Sequence, residues 1–137
     1  VLAHKGNEVV SVRADATVLS ALEQMAANEI GALLVVDESG PIGLFSERDY
    51  ARQVILKGKS SKDTPVRAVM SQRVVYVRPE QTVDDCMALM TNKRLRHLPV
   101  LESNQVVGII SIGDAVRMVI SEKEFIIEQL ENYIHNG

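Results

Sequence analysis

Two short stretches carry the side chains best placed to hold a ligand. They are Gly43-Leu44-Phe45-Ser46-Glu47-Arg48-Asp49 and Gly108-Ile109-Ile110-Ser111-Ile112-Gly113-Asp114. In each, a serine follows an apolar run and an aspartate follows the serine at the same spacing. A serine where a strand turns into a helix sits among free backbone N–H groups at the positive end of the helix dipole. A phosphate oxygen is favoured there. A carboxylate one turn on is a pure acceptor, suited to two vicinal ribose hydroxyls. Gly43 and Gly108 would let a ligand or a second backbone come close. The same Ser-x-x-Asp spacing is also that of a helix capping box, which satisfies two N–H groups without any ligand. Spacing alone leaves both uses open. Arg48 has a similar choice, between neutralising a phosphate and pairing with Glu47 or Asp49 on an exposed turn.

Other chemistry is sparse. The 137 residues include one cysteine and three histidines. Cys86 can form no internal disulfide and reads as a small buried residue. A single thiol points to a reducing, cytoplasmic compartment. His4, His97 and His135 lie too far apart in sequence to show zinc-ligand spacing. No Walker loop, paired-carboxylate metal site or Ser/His/Asp set is legible, so the expectation is a chain that is not an enzyme. A net charge of −3 from 15 basic and 18 acidic residues, well mixed, argues against a nucleic-acid surface. No apolar run reaches the length of a membrane span, and the opening residues lack the apolar region of a signal peptide.

These few residues are positioned by a duplicated framework. Residues 9–55 lie over residues 74–120 without a gap. Val9-Val10 meets Val74-Val75, Thr17-Val18 meets Thr82-Val83, and Met25 meets Met90. Gly43, Ser46, Asp49 and Arg52 meet Gly108, Ser111, Asp114 and Arg117. Each copy predicts the same elements. A short strand (Val9–Val12; Val74–Val77) precedes a helix capped by Thr17 or Thr82. Thr82-Val83-Asp84-Asp85 has capping-box spacing. Apolar residues then recur at helical steps: Val18, Leu22, Met25; Val83, Met87, Met90. Two apolar runs joined by polar turns follow, and a second helix starts near Glu47 and near Ile112. The fold class is α+β: β-α-β-β-α written twice, residues 1–65 and 66–137, with the copies related by a pseudo-twofold axis.

Lys57 to Pro65 reads as a polar linker, and Val66–Met70 as a short helix. The linker lysines Lys57, Lys59 and Lys62 are most simply solvated, with a second use in holding polyphosphate. The tail from Glu122 to His135 is amphipathic, with Ile127, Leu130 and Ile134 on one face. That face either packs on its own chain or joins a second copy, and a homodimer is expected.

The doubled Gly-x-x-Ser-x-x-Asp, each copy preceded by β-α-β, resembles the CBS (cystathionine-β-synthase) domain family. Arg96-His97-Leu98-Pro99-Val100 also resembles that family's second-strand signature, whereas the first copy has Gly31-Ala32-Leu33-Leu34-Val35 and lacks the two basic side chains. The resemblance covers nearly the whole chain. It implies a regulatory module, a Bateman-type pair, that binds adenosine compounds such as AMP, ADP, ATP, NAD, NADH or S-adenosylmethionine. It also implies signalling to an unidentified regulated protein; a dimerisation module with vestigial sites is the alternative. Carried over, one cleft would use Ser46, Arg48 and Asp49 with Gln81, Thr82, Cys86, Leu95 and Arg96. The other would use Ser111, Gly113 and Asp114 with Ala16, Thr17, Ala21, Ile30 and Gly31, and His97 would lie near the seam. Small Ala16, Ala21 and Gly31 would leave room for a purine. The closing Ile134-His135-Asn136-Gly137 reads as a natural chain end, so a stand-alone bacterial-type or organellar protein is expected.

Overall fold

The computed structural model describes residues 9–136, so His4 lies outside the described residues. The chain forms two compact units, one ending at Val75 and the other beginning at Tyr76. In the first unit, β1 (Ser11–Arg13), α1 (Val18–Asn28), β2 (Ala32–Asp37) and β3 (Gly40–Ser46) lead to α2 (Glu47–Asp49). Helix α2 continues as a π-helical segment, Tyr50–Ile55. Strand β2 is central, parallel to β1 and antiparallel to β3. The second unit holds α3 (Val83–Lys93), β4 (His97–Glu102), β5 (Gln105–Ser111) and α4 (Ile112–Asn136). Strands β4 and β5 form an antiparallel pair.

Local chemistry explains the helix starts. Thr17 Oγ1 accepts from the Ser20 N–H at 3.1 Å. At α3 the capping box is complete: Thr82 Oγ1 accepts from Asp85 N–H, and Asp85 Oδ2 accepts from Thr82 N–H, both at 3.1 Å. The helical stripes bury as their spacing requires, Val18, Ala21 and Met25 in α1 and Val83, Cys86 and Met90 in α3. In the first unit they pack on Leu33, Val35 and Phe45 of the sheet and on Val54, Val66 and Val69. The Met25/Met90 pair is core in both units.

The linker ends by docking on the first unit. Val66 and Arg67 donate backbone N–H groups to Ala16 and Ala14 carbonyls at 2.8 and 2.9 Å. The expected short helix is a single 3-10 turn, Val66–Ala68. Beyond it, Leu44 and Ser71 exchange backbone hydrogen bonds at 3.0 and 2.8 Å. This crossing explains Gly43. A Cβ there would stand 2.6 Å from the Ser71 carbonyl oxygen and 2.9 Å from Met70 Sδ. What approaches Gly43 closely is backbone.

One expected strand is lost. Val74–Val77 does not form the counterpart of β1; only an isolated parallel bridge joins Val77 to Val100. The repeat alignment supplies the reason. In the first unit, Leu34 N–H donates to Val10 O and Ala14 N–H to Val36 O, at 3.2 and 2.9 Å. The residues aligned with Leu34 and Ala14 are Pro99 and Pro79. Proline has no N–H, so both flanking hydrogen bonds are chemically impossible. The two that do not need those donors survive, Val77 N–H to Pro99 O at 3.0 Å and Leu101 N–H to Val77 O at 2.8 Å.

The tail extends α4 without a break. Its apolar residues do not pack on their own chain: Ile127, Leu130 and Ile134 are 55%, 57% and 73% exposed. Among the described residues, no helix is long and apolar enough to cross a membrane.

Candidate functional site: two Ser-Asp corners

Ser46 ends β3 and caps α2; Ser111 ends β5 immediately before α4. Ser46 has extended backbone, with φ −122° and ψ 167°, so the chain turns sharply into the helix. Its hydroxyl accepts from Asp49 N–H at 3.2 Å, and Asp49 Oδ2 accepts from Ser46 N–H at 2.9 Å. The second corner repeats this. Ser111 Oγ accepts from Asp114 N–H at 3.0 Å, and Asp114 Oδ2 accepts from Ser111 N–H at 2.8 Å. Both Ser-x-x-Asp motifs are therefore capping boxes. All four groups of each box are half-buried rather than sealed, so the corners remain open to solvent.

The second carboxylate oxygens differ. At the first corner, Asp49 meets Ser46 only through Oδ2, which also accepts from the Ser46 hydroxyl at 3.0 Å. Oδ1 takes no part in the box. At the second corner, Arg117 Nη2 donates to Asp114 Oδ1 at 2.7 Å. The aligned residue in the first unit is Arg52, which lies in the π-helical segment. There Leu56 N–H reaches back to Ala51 O, an i→i+5 bond of 3.0 Å. The wider winding turns successive side chains through a smaller angle, so Arg52 is not carried over Asp49 as Arg117 is over Asp114. Arg117 is a site residue that reading the motif alone does not mark; its position one turn after the aspartate was the available signal.

Burial pushes the Asp49 carboxyl above its ordinary range. Hydrogen bonds from Ser46 and the charges of Arg48 and Arg52 partly oppose it. Arg48 thus favours the charged carboxylate from an exposed position. Gly113, its counterpart, brings no charge; a Cβ there would make only ordinary contacts, 3.5 Å to Arg117 Nη1 and 3.7 Å to Ser111 Oγ.

The remaining candidates fall into three groups. Within each unit, the residue before the hairpin's first strand abuts its own corner: Glu47 N–H donates to Gly31 O at 3.0 Å and Ile112 N–H to Arg96 O at 2.9 Å. His97 is the register partner of Ser111. Ile30 and Leu95 are half-buried beside them. Ala16, Thr17, Gln81 and Thr82 stand at the entrances of α1 and α3, where Gln81 Oε1 accepts from Arg78 N–H at 2.8 Å. Ala21 and Cys86, by contrast, are fully buried in their cores. Burial raises the Cys86 pKa from the ordinary 9.0, which keeps it a thiol.

The CBS-domain family model matches residues 6–55 and again 66–121. The chain belongs to the CBS-domain family. The Arabidopsis thaliana mitochondrial CBS-domain protein CBSX3 is 39% identical over 128 residues; the match takes in 90% of this chain and 62% of that protein. This chain therefore spans less than two thirds of that relative's length. The structure of a Burkholderia ambifaria protein with CBS domains, assigned to signal transduction, is 49% identical. It covers 85% of both chains with a TM-score of 0.81. The CBS domain pair of protein MJ0100, solved with 5′-methylthioadenosine and S-adenosylmethionine, shares the fold at 20% identity. Its TM-score is 0.76, over 85% of this chain and 96% of that one. As a CBS pair, the chain is a regulatory module.

Proposed function

We propose that the pair senses an adenosine nucleotide and passes its occupancy to a regulated protein, without catalysing a reaction on it. The observation that carries this reading is the first corner. A capped helix start holds a half-buried carboxylate whose Oδ1 is left out of the box, beside the positive charge of Arg48. That arrangement suits a ribose diol and a phosphate. The complex of the related MJ0100 pair with two adenosine compounds supports the ligand class. Following the family resemblance, Ser46 and Asp49 would bind together with Gln81, Thr82, Leu95 and Arg96, and Ser111 and Asp114 together with Ala16, Thr17, Ile30 and Gly31. Sensing then works by linkage. A ligand that prefers one arrangement of the repeats shifts the population by its differential affinity. The working form is a homodimer to which Ile127, Leu130 and Ile134 of α4 contribute.

The second corner also favours another reading, a structural cap with a vestigial site, because Arg117 already occupies Asp114 Oδ1. Calorimetry with AMP and ADP on Asp49→Asn and Asp114→Asn separates the two. Asparagine keeps the size and some capping ability but loses the charge. Loss of a charge-assisted ribose contact should weaken binding by about 1.5–3 kcal/mol, roughly ten- to a hundred-fold. The first corner, with Arg48, should prefer ADP to AMP. If both variants bind like the parent, the aspartates are caps and nothing more.

A further inference from the structure

Helix α4 carries two apolar strips past the end of the domain. The family match stops at residue 121, yet the helix runs on to Asn136. In its first part, Ala115 and Met118 are buried in the second unit. Steps of about seven, eleven and eighteen residues return to the same side of an α-helix. Phe125 lies seven residues after Met118, and Ile126 and Tyr133 lie eleven and eighteen after Ala115. The side of α4 that is buried near Ala115 thus stays apolar after the domain that buries it has ended. There Phe125 is 61%, Ile126 56% and Tyr133 76% exposed.

This strip is distinct from the one assigned to the homodimer. Ile127 and Ile134 lie eleven and eighteen residues after Val116, and Leu130 eighteen after Ile112, so they continue the outward side of the helix. The two strips lie about a third of a turn apart. Burying two aromatic rings and an isoleucine is favourable, and aromatic side chains are common anchors of protein interfaces.

The charge beside the strip indicates what would cover it. Residues 121–135 hold four glutamates, Glu122, Glu124, Glu128 and Glu131, against one lysine, Lys123. Glu122 shares the strip's side of the helix, and Glu128 borders it one turn from Phe125. None of the four glutamates has an ion-pair partner among the described residues. Acidic flanks repel an anionic lipid surface, and across a self-paired contact they repel their own copies. They fit an apolar stripe bordered by lysine or arginine.

We propose that the Phe125/Ile126/Tyr133 strip is the docking surface for a basic amphipathic helix of the regulated protein. The proposal rests on the sensing reading above and adds the chemistry of the partner. One continuous helix joins the strip to the second corner, since Asp114 lies in the first turn of α4.

The test uses the full chain and two synthetic helical peptides with the same leucine stripe, one flanked by lysines and its twin by glutamates. Fluorescence anisotropy should show the lysine peptide binding about tenfold or more tightly than the twin. Phe125→Ser combined with Tyr133→Ser should weaken the lysine peptide about tenfold or more. AMP affinity, melting temperature and sedimentation mass should stay those of the parent. Equal binding of the two peptides, or equal binding by parent and variant, overturns the proposal. So does a variant that loses its dimer, because the strip then serves a second copy, or strip-dependent binding to phosphatidylglycerol vesicles tighter than to the lysine peptide. A chain that binds AMP but not the lysine peptide loses the docking strip and keeps the sensing reading. One that binds the peptide and no adenosine nucleotide does the reverse.

Discussion

The two corners start from the same three residues and end in different chemical states. At the first, the chain leaves the box through a π-helical turn, Arg52 acts on Asp49 through its charge without gripping Oδ1, and Asp49 Oδ1 stays outside the cap. At the second, α4 runs on for 25 residues and Arg117 closes over Asp114 Oδ1 at 2.7 Å. The serine and aspartate therefore decide only that a cap forms. Whether the second carboxylate oxygen remains available depends on the winding of the helix one turn further on. A duplicated motif need not be a duplicated function.

The largest expected effect concerns the support under the first corner. Gly43→Ala forces a Cβ against the Ser71 carbonyl, a backbone atom that cannot rotate away. Overpacking of this kind costs about 1–3 kcal/mol, and relief requires the Met70–Ser71 crossing to shift. Chemical denaturation should show the loss, and amide exchange should place it at Leu44 and Ser71. If Gly43→Ala is as stable as the parent, the close crossing is not what Gly43 serves.

A smaller effect should erase the difference between the corners. Arg117→Ala removes an exposed ion pair worth about 0.2–1 kcal/mol and, with it, the guanidinium contact to Asp114 Oδ1. The melting temperature should fall only slightly, while AMP affinity at the second corner rises toward that of the first. Unchanged affinity would mean that the Arg117 grip is irrelevant to the ligand.

The smallest effect is a pH trend at Asp49. Its folded pKa lies above the ordinary 3.8, mainly through burial. The folded state therefore favours the protonated form. The stability this contributes is fully present below the unfolded pKa and is lost as pH rises through the folded one. Asp49→Asn, which cannot ionise, should leave the ligand-free protein as stable as the parent or slightly more so at neutral pH. That advantage should fade as pH drops toward the ordinary carboxylate range. Thermal melts of parent and variant across this range give the comparison; a variant markedly less stable at neutral pH would show that charge in the cap outweighs the burial cost.

Much of the framework was readable in advance because its causes are local or periodic. Thr17 and Thr82 cap helices for reasons contained within a single turn, and Val18, Met25, Val83 and Met90 face inward because helical spacing puts them on one side. The missing strand was less legible. Pro79 and Pro99 are visible in the sequence, but their effect depends on register: only the pairing of the first unit shows that the lost N–H groups are the two that would have flanked Val77. The expectation that Ala21 leaves room for a purine met a similar limit, because small size does not reveal whether a residue sits at a surface or, as here, in a core.

By itself the sequence determined the duplication, the order of elements, the caps and the Ser-Asp spacing, since each follows from neighbouring residues or a repeating period. Tertiary structure alone decided what crosses Gly43, which oxygen of each aspartate is engaged, and that Glu29 and Glu47 line one groove. Those outcomes depend on distances between segments remote in the chain and on the pitch of a helix. Neither quantity is carried by residue type or spacing.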